Sequence, residues 1–300
     1  MKTAKNRVYG ITAGVFMLFS ACCENPDITL PGGGNETYIN FYQASEVIKQ
    51  ENMGTGNMVY INDSVPKAPF LRFPQFSVSA SYDGRQYPQS TTGTDLVSGG
   101  DAGGATIKDN YRSVYWMHIQ ANSYKFIFTS EGRTFLKDTT LTLLSKTYTT
   151  QYLVESPASD SAYTIVTVPV ERKGTEGQVR IQVVNLAVDL GAIDVYRMDA
   201  EGKVIDSGLP LGLAFGDYSS SAGLDISSGT AHGDVLLRIH RKGDPEALLI
   251  LTVPAISNSA FTIVVQGFEH ETQRRIKIQD TEYREVTVYP NLRTNIRRIF

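Results

Sequence analysis

Cysteine is almost missing from this chain of 300 residues: the only two, Cys22 and Cys23, stand side by side near the N-terminus. Adjacent cysteines rarely form an unstrained disulfide. With no further thiol, neither a disulfide framework nor a complete cysteine zinc site can be assembled. The residues beyond Cys23 must be held together by burial alone. Histidine is scarce as well, with His118, His232, His240 and His270 scattered along the chain. His270-Glu271 opens like a zinc-protease motif, but Arg274 stands where the second histidine is needed, and the segment alternates as a strand does. There is no G-x-S-x-G elbow to aim a serine. The glycine-rich "GGDAGGA" at 99–105 precedes no helical pattern, so it reads as the tip of an insertion rather than a phosphate cradle. The serines at 219–221 read as a polar loop. Carboxylates are plentiful, but none stands out from solvated-face residues as the opposed pair a glycosidase needs. A formal net charge of −3 argues against a nucleic-acid partner. These absences point to a protein that is not an enzyme and has no metal or cofactor.

Long apolar runs are also lacking. Residues 8–21 are apolar and free of charge, and come after Lys2, Lys5 and Arg7. That run falls short of the ~20 residues needed to span a bilayer core. A basic start and a short apolar stretch form a removable signal peptide, here 1–21. Phe19-Ser20-Ala21-Cys22 resembles the lipobox of bacterial lipoproteins, with Phe19 where leucine is usual. The resemblance implies that Cys22 is the lipid-attachment residue and that the chain reaches a membrane through acyl chains, not a spanning helix. It implies a cell-envelope location at the outer membrane. Removing the three cations takes the net charge from −3 to −6.

What is present is a period of two. Residues 22–36, with Pro31 and three consecutive glycines, form a tether. Beyond it, Ile39 and Phe41 alternate with polar neighbours, as do Val179, Ile181 and Val183, then Ile276 and Ile278, then Val286 and Val288. Such strands bury one face and leave the other wet. Turn signals recur at Asp83-Gly84, Glu131-Gly132, Glu201-Gly202 and Lys242-Gly243. The one helical piece is "SEVIKQE" at 45–51. The fold expected is all-β: two tandem immunoglobulin-like antiparallel β-sandwich domains.

A weak internal repeat divides them. "SYKFIFTSEGRTFLKDTTLTLLSKTYTTQYLVE" is echoed by "DVLLRIHRKGDPEALLILTVPAISNSAFTIVVQG", with Gly132 matching Gly243 and Tyr148 matching Phe261. "VYIND" from Val59 is echoed by "VYRMD" from Val195, and Pro69 by Pro210. The first copy carries an extra loop at about 83–110. The expected domains are 37–172 and 178–300, joined at "ERKGTEG", with the residues after 289 adding a last strand. The carriers "QVRIQVVNLAVDLGAIDVYRMD", "GLPLGLAFGDY" and "LLILTVPAISNSAFTIVVQG" resemble the domain family of unknown function numbered 4397, found in tandem in exported bacterial proteins. In the first copy "DVY" becomes "MVY" and the "LPxG" stretch becomes "APFLRF". The resemblance implies a β-sandwich and export, and no activity.

Aromatics are the feature that stands out, with 16 tyrosines and a single tryptophan. Tyr111, Tyr115, Trp116 and Tyr124 lie close together in sequence. On an exposed face their rings would stack on sugars or anchor a protein partner; in a core they would be cross-strand pairs. Asp63-Ser64-Val65, Asp138-Thr139-Thr140 and Asp160-Ser161-Ala162 resemble an O-glycosylation triplet of exported Bacteroidetes proteins, though such pairs also arise in turns. The functional expectation is a lipid-anchored, non-enzymatic interaction or structural module of the cell envelope. Its alternatives are a glycan-binding surface lipoprotein in nutrient capture and a fimbria-type subunit exchanging its C-terminal strand. Its partners are then the membrane and a protein or polysaccharide at the cell surface.

Overall fold

The computed structural model describes residues 34–50, 57–62, 75–76, 86–87, 95–99, 114, 116–130, 134–205, 207–226, 234–277 and 281–300. Alternating sequence becomes strand throughout. The first half runs β1 (Glu36–Gln43), α1 (Glu46–Gln50), β2 (Asn57–Ile61), β3 (Gln75–Phe76), β4 (Gln86–Tyr87), β5 (Asp95–Gly99), β6 (Met117–Gln120), β7 (Ser123–Ser130), β8 (Thr134–Thr142), β9 (Tyr148–Glu155) and β10 (Tyr163–Val170). The second half runs β11 (Gln178–Ala187), β12 (Ile193–Met198), β13 (Val204–Ile205), β14 (Ala222–Asp225), β15 (Asp234–Arg241), β16 (Ala247–Pro254), β17 (Ser259–Gly267), β18 (Thr272–Lys277), β19 (Tyr283–Val288) and β20 (Arg293–Arg298). The signal peptide, Cys22, nearly all of the tether and most of the 83–110 loop lie outside the described residues.

The chain is a set of β-sandwiches. In the first half, the sheet β10-β9-β1, with β4 and β6 on the far side of β1, packs against β3-β2-β7-β8. Phe41 meets Phe126 and Phe128 at ring separations of 5.4 and 6.0 Å. In the second half, β14-β11-β17-β20-β5 packs against β13-β12-β15-β16 over Ile181, Val183, Ile263, Leu237 and Leu251. The sequence repeat reappears as repeated topology, since β3-β2-β7-β8 is matched strand for strand by β13-β12-β15-β16. Most pairings are antiparallel, but β1 runs parallel to β9 and β11 parallel to β17. Each of these pairs is separated by an excursion through the facing sheet, which brings the chain back in the same direction.

Three features tie the halves together. First, the expected wet outer faces of β1 and β11 are buried at the centre of the molecule. The reason is that the two five-stranded sheets lie face to face, so their polar side chains bond to one another and not to water. Arg297, fully buried, donates to Asn40 Oδ1 at 2.8 Å and to the Tyr152 hydroxyl at 3.3 Å. Its guanidinium lies 4.5 Å from the Tyr42 ring centre and 5.8 Å from that of Tyr152. Asn295 bonds Tyr42, and Arg293 and Gln266 both bond Glu46. Second, the hairpin β18–β19 of the second half covers the first core with Ile276, Val286 and Val288, while Arg275 pairs with Asp160. Third, β5, from the extra loop of the first half, pairs along β20 from Asp95↔Arg297 to Gly99↔Arg293. The C-terminal segment is therefore a strand paired on both sides within its own chain, with β17 and β5.

Candidate functional site

The end of β10, the linker to β11, the turn entering β9 and the loop ahead of β14 surround a cleft of about 480 Å³. Both halves and the linker build it. The parallel register of β1 on β9 sets Tyr38 directly beside Tyr148. Their rings stack at 4.4 Å and 9°. Trp116 meets Tyr148 edge-on at 5.2 Å, and His118 meets Tyr38 edge-on at 4.6 Å. The Arg172 guanidinium lies 5.5 Å from the Tyr148 ring centre and 5.9 Å from that of Phe300, and donates to the Tyr148 hydroxyl at 3.4 Å. Partial burial, followed by the neighbouring Tyr148, raises the Tyr38 hydroxyl above the ordinary tyrosine range.

Tyr218 also lines the cleft and leaves 41% of its surface exposed, next to Ser219, Ser220 and Ser221. The floor is fixed by Gln182, whose amide donates to the carbonyls of Pro169 (3.0 Å) and Ser219 (3.2 Å) and accepts from Thr262 (3.4 Å). Arg180 spans the rim, donating to Glu171 at 2.7 Å and to the Ser221 hydroxyl at 3.2 Å. Lys173 also reaches Glu171, at 3.6 Å. Such an arrangement offers a flat ring, hydroxyls and cations to a ligand. Its lining residues include no nucleophile paired with a base. Among the described residues no three histidine, cysteine or carboxylate side chains cluster to hold a metal.

The expected aromatic group is described only in part. Tyr111 and Tyr115 lie outside the described residues. Trp116 joins the cluster beside the cleft, with Tyr148 and Phe300. Tyr124 packs on the first core instead, 6.0 Å from Phe126, with its hydroxyl donating to the Gln120 carbonyl at 2.9 Å. The serines at 219–221, which read as a plain polar loop, form one wall of the cleft. Tyr38, Tyr148, Arg172 and Tyr218 carried no local signal, being far apart in sequence and joined only by the sheet pairing. Of the histidines, His240 is buried with Nδ1 3.0 Å from the Asp244 carbonyl, and exposed His270 sits 3.4 Å from Asp189. His232 lies outside the described residues. A second, smaller cleft of about 410 Å³ lies between Asp138 of β8, Ser161 and the β18–β19 hairpin, so two of the three Asp-Ser/Thr triplets border it. The third triplet, 63–65, lies outside the described residues.

No family model matches the chain, and no curated protein matches it. Among solved structures it is similar to a family 26 carbohydrate-binding module from Eubacterium rectale, in complex with maltoheptaose. The identity is 13%, over 85% of this chain and 98% of that one, with a TM-score of 0.20. It is also similar to a family 41 carbohydrate-binding module from streptococcal virulence factors, described for alpha-glucan recognition. There the identity is 14%, over 71% and 84% of the two chains, with a TM-score of 0.20. Neither likeness, at that score, bears on the ligand of this chain.

Proposed function

We propose that this chain is a lipid-anchored, non-enzymatic binding protein of the cell envelope, a tandem member of the family numbered 4397, whose composite cleft takes a glycan. The observation that carries the glycan reading is the cleft itself: an exposed tyrosine lines it together with serine hydroxyls and a guanidinium that a ring stack already orients. Flat rings cover the apolar face of a sugar, and planar polar groups read its hydroxyls. The anchor rests on Cys22 and the sequence before it, and among the described residues no helix is long and apolar enough to cross a membrane.

Two experiments test the two parts. Titration calorimetry of the full chain in detergent against neutral and acidic polysaccharides is expected to give saturable heat that Tyr218→Ala weakens by about tenfold, the usual effect of losing one stacking ring. Silence across the panel would remove the glycan reading. Cys22→Ala is expected to release the protein from membranes and to abolish labelled-lipid incorporation; unchanged labelling would remove the anchor.

A further inference from the structure

Charge in the cleft is lopsided. Lys146, Arg172 and Lys173 line it, Arg180 bonds its Glu171 from outside the lining, and Glu171 supplies the one carboxylate among its described lining residues. Glu171 is already neutralised, at 2.7 Å from Arg180 and 3.6 Å from Lys173. Among the described residues no carboxylate pairs with Arg172 or Lys146. The Phe300 carbonyl oxygen is engaged elsewhere, accepting from Arg298 Nε (3.1 Å) and the Ala260 amide (3.2 Å). This excess of cations occurs on a chain that is acidic overall, with a net charge of −3.

Two further details concern how these cations are placed. Arg172 is set by two rings, so its planar fork is oriented before any ligand arrives; it uses one donor on Tyr148 and has others to offer. Lys146 adopts φ of 60°, the left-handed region that favours glycine or asparagine. Its amide donates to the Glu36 carbonyl at 2.6 Å, which fixes that turn. A lysine at a position of backbone strain, on the wall of a cleft, suits a group kept for its charge.

We propose that the ligand is an acidic polysaccharide whose sugar carboxylates are held by Arg172 and Lys146, while Tyr218 covers the sugar ring. This rests on the glycan reading and narrows it to one chemical class. A carboxylate accepts two parallel N–H bonds from a guanidinium, a geometry that neutral hydroxyls cannot match.

The test compares polymers of one backbone. Calorimetry of the full chain in detergent would use polygalacturonate, alginate and hyaluronate, with fully methyl-esterified polygalacturonate and amylose as uncharged counterparts. At least one acidic polymer should bind about tenfold or more tighter than the uncharged ones, a gap that shrinks with added salt. Arg172→Gln should close most of that gap. Lys146→Gly removes the charge and relieves the backbone, so it should weaken acidic binding while leaving the melting temperature equal or higher. Equal binding of esterified and free-acid polymers, still dependent on Tyr218, would overturn the charge preference and leave the glycan reading standing. Acidic binding that ignores both variants would overturn the placement in this cleft. Binding of no polymer at all would overturn both proposals.

Discussion

Single residues explain why certain short patterns stand in the second half of this chain. Asp194, from "DVY", accepts from the Gly212 amide at 2.6 Å and the Gly243 amide at 2.9 Å, and so ties "LPLG" and the "KGDP" turn to β12. The first copy has Met58 in that place, which has no carboxylate to serve two turns, and its "LPxG" stretch has diverged as well. Asp194→Ala is expected to cost about 2–4 kcal/mol, because two amides lose their acceptor; Asp194→Asn should fall between, as read by urea unfolding. Glu155 is a second informative residue. One of its oxygens accepts from the Ser45 hydroxyl (2.5 Å) and the Val47 amide (2.8 Å), and the other is buried with no partner among the described residues. Complete burial drives its carboxyl above the ordinary carboxylate range, against the pull of those two donors. The folded state therefore holds a proton that the unfolded state releases above about pH 4.3. Its contribution is full below that pH and is lost as pH rises toward the raised value. Melting temperature should decline across that interval in the native chain, and Glu155→Gln should flatten the decline.

At the scale of elements, the strands were legible and their surroundings were not. Alternation marks β1, β11, β18 and β19 in the sequence, and the short helix at 46–50 falls inside the predicted 45–51. What alternation cannot tell is whether a polar side chain faces water or another sheet. Asn40, Gln266 and Thr262 look like solvent-facing residues in sequence, yet all are buried. The cleft was hidden for a related reason. Tyr38 and Tyr148 become neighbours only because β1 and β9 run parallel, a register that local patterns do not encode. The linker "ERKGTEG" is mostly exposed, but at Gly174 it lies tightly against the second half. A Cβ at Gly174 would come within 2.3 Å of the Asn258 carbonyl oxygen. The Asn258 amide itself bonds Thr175. Gly174→Ala should therefore cost about 1–3 kcal/mol through overpacking. It should also weaken ligand binding, because the displaced backbone carries Arg172 and Lys173.

For the whole molecule, the two halves share material. The first core includes Val184, Leu186, Val264 and Phe268 from the second half. The polar layer around Arg297 adds bonds that neither half can satisfy alone. One cooperative unfolding transition is expected by calorimetry, not two. Arg297→Met should lower its midpoint strongly, by about 2–5 kcal/mol of stability, since Asn40 and Tyr152 would keep their burial and lose their donor. Two well-separated transitions in the native chain would show that the shared layer does not couple the halves.

The pairing of β5 with β20 bears on truncation of the chain. Among the described residues, the strand at 95–99 finds its sheet neighbour only in 293–297, far along the chain. A product that stops at Pro290 would leave β17 with a bare edge and Glu46 without Arg293. Loss of this one strand would therefore open a sheet edge and undo a buried ion pair together, and a chain cut back to 290 is expected to be digested faster in limited proteolysis than residues 1–300.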